Sequence, residues 1–213
     1  MPGLADVLAG GVLDVAPRLL GAVLTHRTED GTVAVRLTEV EAYDGPNDPG
    51  SHAHNGRTRR NQVMFGPPGR LYVYFTYGMH HCANVVVGTD GDPAAVLMRA
   101  GEVVDGVELA QRRRSRAARR DLARGPARLC QALGLDLSHN GADLGDGPLT
   151  LTVADTSGGE VRTGPRVGLR RAADRPWRFW LDGEPTVSTY RPAVARRRPA
   201  REGPASGTGV GSA

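Results

Sequence analysis

Between residues 21 and 99 the chain returns again and again to extended, β-branched or aromatic segments parted by short turns, and that rhythm limits the fold more than any other feature. Residues 21–26 and 32–43 read as a hairpin around the turn residues Glu29, Asp30 and Gly31. Residues 71–77, 82–87 and 94–99 follow as consecutive antiparallel strands, and 149–153, 166–170 and 176–182 add three more. The 213 residues show no shift in composition before about position 190, which predicts one domain over 1–190 with a single sizeable core. The Pro, Arg, Gly and Ala mixture of 191–213 predicts a disordered basic tail.

Helices are fewer. Leu4, Val7, Leu8, Val12, Leu13, Val15, Leu19 and Leu20 recur at roughly helical spacing, interrupted by Gly10, Gly11 and Pro17, so two short helices are expected there. Residues 102–124 form a basic helical candidate with arginines at 112, 113, 114, 116, 119, 120 and 124; a solvated face is the plain account of it. A second helix is predicted over 126–133, behind Pro126. Residues 44–69, rich in Gly, Pro, Asn, Asp and Arg, predict a long irregular connection of the kind that often carries function.

Charge points to a polyanionic partner, since the net charge is +4 and the isoelectric point near 9.6. All 27 Lys-plus-Arg positions are arginine, so no side-chain amine exists to form a Schiff base and only the N-terminus can supply one. Cys82 and Cys130 lie far apart in apolar segments and predict packed thiols in a reducing compartment. No signal segment or membrane span is apparent, so a cytoplasmic location is expected, with no membrane partner.

Glu39 and Glu41 stand two apart on a predicted strand and therefore share a face. A solvated strand edge is the plain explanation for such a pair. Here Glu41 is followed at once by Ala42, Tyr43 and a loop reaching His52, which brings a carboxylate, an aromatic face and an imidazole towards one place, as a pocket for a flat ring requires. Four of the five tyrosines, Tyr43, Tyr72, Tyr74 and Tyr77, fall around an arginine-rich loop, an interleaving that suits nucleic acid. A base inside a duplex must be extruded before hydrolysis, and stacking of about 1 to 3 kcal/mol per base replaces what it loses. For Tyr72 simple β-propensity is the better account, whereas Tyr77 precedes Gly78 at an apparent hairpin tip, where a rigid side chain can wedge into the gap. His52, His54, His80, His81 and Cys82 admit a zinc reading, disfavoured because no second cysteine has ligand spacing. His26 and His139, with no motif around them, are expected at the surface or in turns.

The strings LTEVEAYDGPNDPGSH (37–52) and NQVMFGPPGRLYVYFTYGMHHCANVVV (61–87) resemble the alkyladenine, or 3-methyladenine, DNA glycosylases. The likeness continues through AAVLMRA (94–100), GPARLCQALGL (125–135), RVGLR (166–170) and WRFWLDGEPTVS (177–188), most of residues 1–190. It implies an α+β domain, a curved antiparallel sheet or open β-barrel with helices packed around it and a hairpin that intercalates into DNA. By the resemblance Glu41 is the general base that activates water, and Arg99 helps hold that water and the carboxylate. Tyr43, His52 and Tyr74 line the pocket of the flipped base, Asn84 crowds the purine 2-position and so disfavours guanine, and Tyr77 intercalates.

The activity so implied is a monofunctional glycosylase that hydrolyses the N-glycosidic bond of alkylated, and by extension deaminated or etheno, purines in duplex DNA. It acts as a monomer, without metal or organic cofactor, and leaves an intact abasic site. A noncatalytic nucleic-acid-binding module, with Glu41 a structural partner of Arg99, is the competing reading. Two positions depart from the family pattern: Arg59 stands where proline is usual and His81 where an aromatic is usual. The 84–99 spacing is also about two residues longer than in some relatives, with TDGDP as a tight turn.

Overall fold

The computed structural model describes residues 3–154 and 156–193. The expected disordered tail therefore lies outside the described residues, except for 191–193. Two short helices, α1 (Leu4–Leu8) and α2 (Val12–Arg18), open the chain where the apolar spacing places them. Nine strands follow among the described residues: β1 (Val23–Thr28), β2 (Gly31–Tyr43), β3 (Leu71–Thr76), β4 (His80–Val87), β5 (Ala94–Asp105), β6 (Ala123–Arg124), β7 (Leu149–Thr152), β8 (Val161–Gly164) and β9 (Arg178–Leu181). Between β5 and β6 lies α3 (Val107–Arg113), and after β6 comes α4 (Pro126–Leu133).

All nine strands belong to one open antiparallel sheet whose main path runs β3-β4-β5-β2-β1-β7, with β6 beside β5 and the β8–β9 pair beside β2. It does not close into a barrel. The 13-residue β2 organises it. One edge pairs with β5 from Ala34 to Tyr43, while the other pairs first with β1, up to Arg36 opposite Val23, and then with β9 at Glu39, Val40 and Glu41. The end of β2 that carries both glutamates is thus flanked by strands on both sides.

Two irregularities at that end shape the site. Pairing passes from Leu37 opposite Gly101 to Glu39 opposite Ala100, then to Val40 opposite Met98, so Thr38 on β2 and Arg99 on β5 are each left over in turn. An extra residue in a ladder re-aims side chains, and such bulges concentrate beside functional sites. The main core gathers Leu8 from α1, Val15 from α2 and Leu19 just after it with Leu37, Met98, Leu129, Leu133 and Leu181. A smaller cluster of Ala53, Met64, Tyr72, Val86 and Ala95 fixes the long 44–69 connection, which is irregular as expected apart from short 3-10 turns.

Three expectations need correcting. The basic stretch 102–124 is not one helix: 102–105 continue β5, α3 spans only Val107–Arg113, and 123–124 form β6. Gly106 enforces the break with φ +69°, where a Cβ would sit 1.9 Å from the Thr32 carbonyl oxygen, and Val103 and Val104 favour the strand before it. Nor is its face uniformly solvated, because Arg113 donates to the Ala132 carbonyl at 3.0 Å and Arg114 to that of Leu122 at 2.7 Å. The strand expected at 166–170 is instead β8, a few residues earlier; 166–170 is turn, with Gly168 at φ +73°. Finally, His26 is buried, its Nδ1–H donating to the Leu133 carbonyl at 2.8 Å. A polar residue on an inward strand position was read as exposed because its partner lies 107 residues away.

Candidate active site

Glu39 and Glu41 do share one side of β2, and neither is solvated: both side chains are completely buried. Such carboxylates persist only when paired and hydrogen-bonded. Glu39 accepts from Arg99 Nε at 2.9 Å, Arg178 Nε at 2.6 Å, the Ser188 amide at 2.7 Å and the Ser188 hydroxyl at 3.0 Å. Burial opposes its ionisation, but Arg99 and Arg178 outweigh that and hold the carboxyl below its ordinary range.

Glu41 is held differently. Its Oε2 accepts the Tyr43 hydroxyl at 2.8 Å and its Oε1 the Val167 amide at 2.7 Å, while Arg99 Nη1 stands 3.4 Å from Oε1. Burial and the Glu41 charge push the Tyr43 phenol well up, so it remains a donor. Burial works against the Arg99 charge, yet Glu41 and Glu39 together raise its pKa further.

Tyr43 also forms one wall of a cavity of about 80 Å³, shared with His52, Met64, Tyr72, Tyr74 and Asn84. Strands β2, β3 and β4 supply the tyrosines and asparagine, and the 44–69 connection supplies His52. The His52 ring stands edge-on to Tyr74, with centroids 4.6 Å apart and planes at 81°, and shares a hydrogen bond of 3.1 Å with the Tyr72 hydroxyl. Burial first, then the Arg60 charge, lowers the His52 pKa and so favours the neutral ring. The Asn84 amide donates to the Tyr72 carbonyl at 3.0 Å, which fixes its orientation.

Of the residues singled out from sequence, Glu41, Arg99, Tyr43, His52, Tyr74 and Asn84 therefore come together. Tyr77 stands apart at the tip of the β3–β4 hairpin, 85% exposed. It has φ +52° and Gly78 φ +68°, and the Met79 amide closes the turn on the Thr76 carbonyl at 3.2 Å. Among the described residues no group of three or more His, Cys, Asp or Glu side chains is placed to hold a metal ion. Cys82 and Cys130 are buried free thiols.

Sequence reasoning missed the supports. Tyr72 is packed, as its strand position suggested, but also lines the cavity. Asn61, 1% exposed, ties the loop by donating to the His52 and Gly56 carbonyls at 2.9 and 3.0 Å. Arg166 is wholly buried, pairs two-pronged with Asp48, donates to the Ala42 carbonyl at 2.9 Å, and lies 4.6 Å over the Tyr43 ring. The signal for it was an arginine in the RVGLR string, which was read as strand instead of as a buried charge needing a partner.

No helix among the described residues is long and apolar enough to cross a membrane. A protein from Streptomyces avermitilis named "Putative 3-methyladenine DNA glycosylase" is 55% identical over 199 residues, 91% of this chain and 93% of that protein. Proteins of the same name from Leifsonia xyli subsp. xyli and Frankia casuarinae are 53% and 52% identical, covering 93% and 88% of this chain and 94% and 91% of their own lengths. The model of the methylpurine-DNA glycosylases matches residues 6–185, a span that includes every candidate site residue, and the chain belongs to that family.

Proposed function

We propose that this chain, a hydrolase of N-glycosyl bonds by its family, excises alkylated purines from duplex DNA by flipping them into the Tyr43–His52–Tyr74 cavity and hydrolysing the bond with a water activated by Glu41. The observation that carries the reading is the Tyr43–Glu41 hydrogen bond, which joins the wall of an aromatic cavity to a buried carboxylate. Each carboxylate oxygen has about two lone-pair directions, and Tyr43 is the partner found for Oε2, so a direction remains for water. Arg99 stands beside the same carboxylate and helps fix it.

Water attacks C1′ on the face opposite the departing purine as oxocarbenium character develops, in the manner of inverting glycoside hydrolysis. A cationic alkylated purine leaves without help, whereas a neutral lesion such as hypoxanthine gains from protonation. The cavity is small beside ordinary ligand pockets of roughly 300 Å³ or more and below the roughly 150 Å³ of a cavity that takes a single benzene ring, so a purine enters only as the walls part. Asn84, fixed by Tyr72, crowds the purine 2-position against the guanine amino group. Tyr77 fills the gap in the duplex. The chain acts as a monomer in this reading, and no step calls for a metal or organic cofactor. With no lysine to form an imine, the product is an unbroken strand with an abasic site.

The test is incubation of excess protein, with EDTA, on duplexes carrying 7-methylguanine or hypoxanthine, followed by alkali. Lesion-specific strand breaks appearing only after alkali, and lost in Glu41→Gln while that variant still binds the damaged duplex, are expected. Excision by Glu41→Gln at the original rate overturns the role of Glu41; no excision of either lesion by the unaltered protein overturns the substrate reading.

A further inference from the structure

Glu39 is the more heavily bound of the two buried carboxylates, yet the reaction outlined above does not use it. Its Oε1 takes Arg99 Nε at 2.9 Å, Arg178 Nε at 2.6 Å and the Ser188 hydroxyl at 3.0 Å, and the same hydroxyl meets Arg99 Nη2 at 3.3 Å. Two of the three Arg99 nitrogens are thereby turned towards Glu39 and Ser188. Only Nη1 faces Glu41, and at 3.4 Å it lies beyond the roughly 2.7–2.9 Å of a charge-assisted hydrogen bond. Arg99, left over between its paired neighbours Met98 and Ala100, is aimed by the bulge at the space between the two acids.

We propose that Glu39 is a positioning residue for the hydrolysis: by engaging Arg99 from the side, it prevents that arginine from closing a two-point pair with Glu41 and leaves Glu41 free to take a proton from water. The proposal rests on the reading of Glu41 as the base. Glu39, Glu41, Arg99 and Arg178 form a buried quartet of formal charge zero, with Arg99 and Arg178 both under a tenth exposed. Neutralising Glu39 leaves the quartet with an excess positive charge. Arg99 then turns to Glu41, weakens it as a base, and opposes the positive charge that develops on the sugar. Removing Arg178 instead leaves an excess negative charge and acts on Glu41 in the opposite sense.

The groups that face Glu41 allow this to be read from a pH profile. They are Arg99 from β5, Arg178 opposite it on β9, Tyr43 from its own strand with Arg166 stacked behind, and Tyr74 and Cys82 from β3 and β4. Arginines keep their charge throughout, and burial pushes Tyr43, Tyr74 and Cys82 upwards, so none of these titrates between pH 4 and 8. His52, in the same cavity, does titrate in that range but is common to every variant, so a shift of the acid limb of single-turnover excision between variants, and not its position, reports Glu41.

The experiment measures that limb in Glu39→Gln, Arg178→Met and the double variant, with damaged-duplex affinity and thermal unfolding alongside. Glu39→Gln is expected to lower the plateau about tenfold or more and move the acid limb down by roughly one pH unit, with DNA affinity unchanged. Arg178→Met is expected to move the limb up, and the double variant, neutral again, to return it towards the original. Limbs that stay in place in both single variants, with rate losses that follow loss of stability, overturn the proposal and leave Glu39 structural. Should Glu39→Gln fail to fold, an unmoved limb in Arg178→Met overturns it alone. Failure of the underlying reading looks different: Glu41→Gln would then excise at the original rate.

Discussion

The hydroxyl of Tyr43 donates to Oε2 of Glu41 at 2.8 Å, although the two residues are only two positions apart on the same strand. One residue thus forms a wall of the cavity and tethers the candidate base, so any displacement of that wall by a bound ring is passed directly to the carboxylate. Tyr43→Phe keeps the ring and deletes the tether. A hydrogen bond to a charged group contributes about 1.5–3 kcal/mol, so single-turnover excision should fall roughly ten- to a hundredfold with damaged-duplex affinity nearly unchanged. An unchanged rate would mean that the hydroxyl does not orient Glu41.

Behind Tyr43 stands the Asp48–Arg166 pair, with both side chains completely buried. Removing one partner of such a pair strands a charge and costs about 3–5 kcal/mol. Asp48→Asn should therefore lower the denaturant midpoint substantially without altering the m-value. The apolar double variant Asp48→Ala/Arg166→Met should regain part of that stability. It should not regain activity, because Tyr43 loses the guanidinium stacked 4.6 Å above its ring. Recovery of both together would show that the pair serves stability alone.

His26 gives the fold a pH-dependent term. Burial is the main cause that lowers its pKa below the ordinary 6.5, against the hydrogen bond to the Leu133 carbonyl that favours the charged form. The unfolded chain then binds a proton at His26 that the folded chain resists. Stability is highest above the unfolded value near 6.5 and is lost as pH falls from there through the folded pKa. The melting temperature should decline over that window in the unaltered protein, and the decline should be shallower in His26→Gln. Parallel curves would remove His26 as its source.

Much of the site was legible because its residues lie at strand positions or strand ends whose period fixes which face they share. Glu41 and Tyr43 needed only a correct strand to converge on the loop that carries His52, whereas Arg99, Tyr74 and Asn84 were named through the resemblance to the 3-methyladenine DNA glycosylases. What escaped depended on contacts distant in sequence. The partner of Asp48 is 118 residues away, the Val167 amide that holds Glu41 is 126 away, and the Ser188 amide on Glu39 is 149 away. No local pattern encodes such pairings. The basic stretch misled for a related reason: arginine counts favour a helix, but Gly106 and the β-branched residues before it had already committed the chain to β5. The bulge that leaves Arg99 over was equally invisible, since it depends on the register of two strands and not on either alone.

Tyr77 occupies a backbone conformation that its side chain disfavours, with φ +52° and no packing to compensate at 85% exposure. The left-handed region costs an L-residue about 1 kcal/mol, whereas glycine enters it freely at some cost in chain entropy. Tyr77→Gly should therefore fold at least as well, with a melting temperature unchanged or raised by no more than about 4 °C. If the side chain takes the place of a flipped nucleotide, the same variant forfeits about 1–3 kcal/mol of stacking, and excision at limiting protein should drop roughly tenfold or more. Tyr77→Phe, which keeps the ring, should stay close to the original rate. A stable Tyr77→Gly hairpin with undiminished excision would leave the exposed tyrosine without a part in the reaction, whereas stability and activity moving in opposite directions would show that this turn is kept strained for contact with DNA.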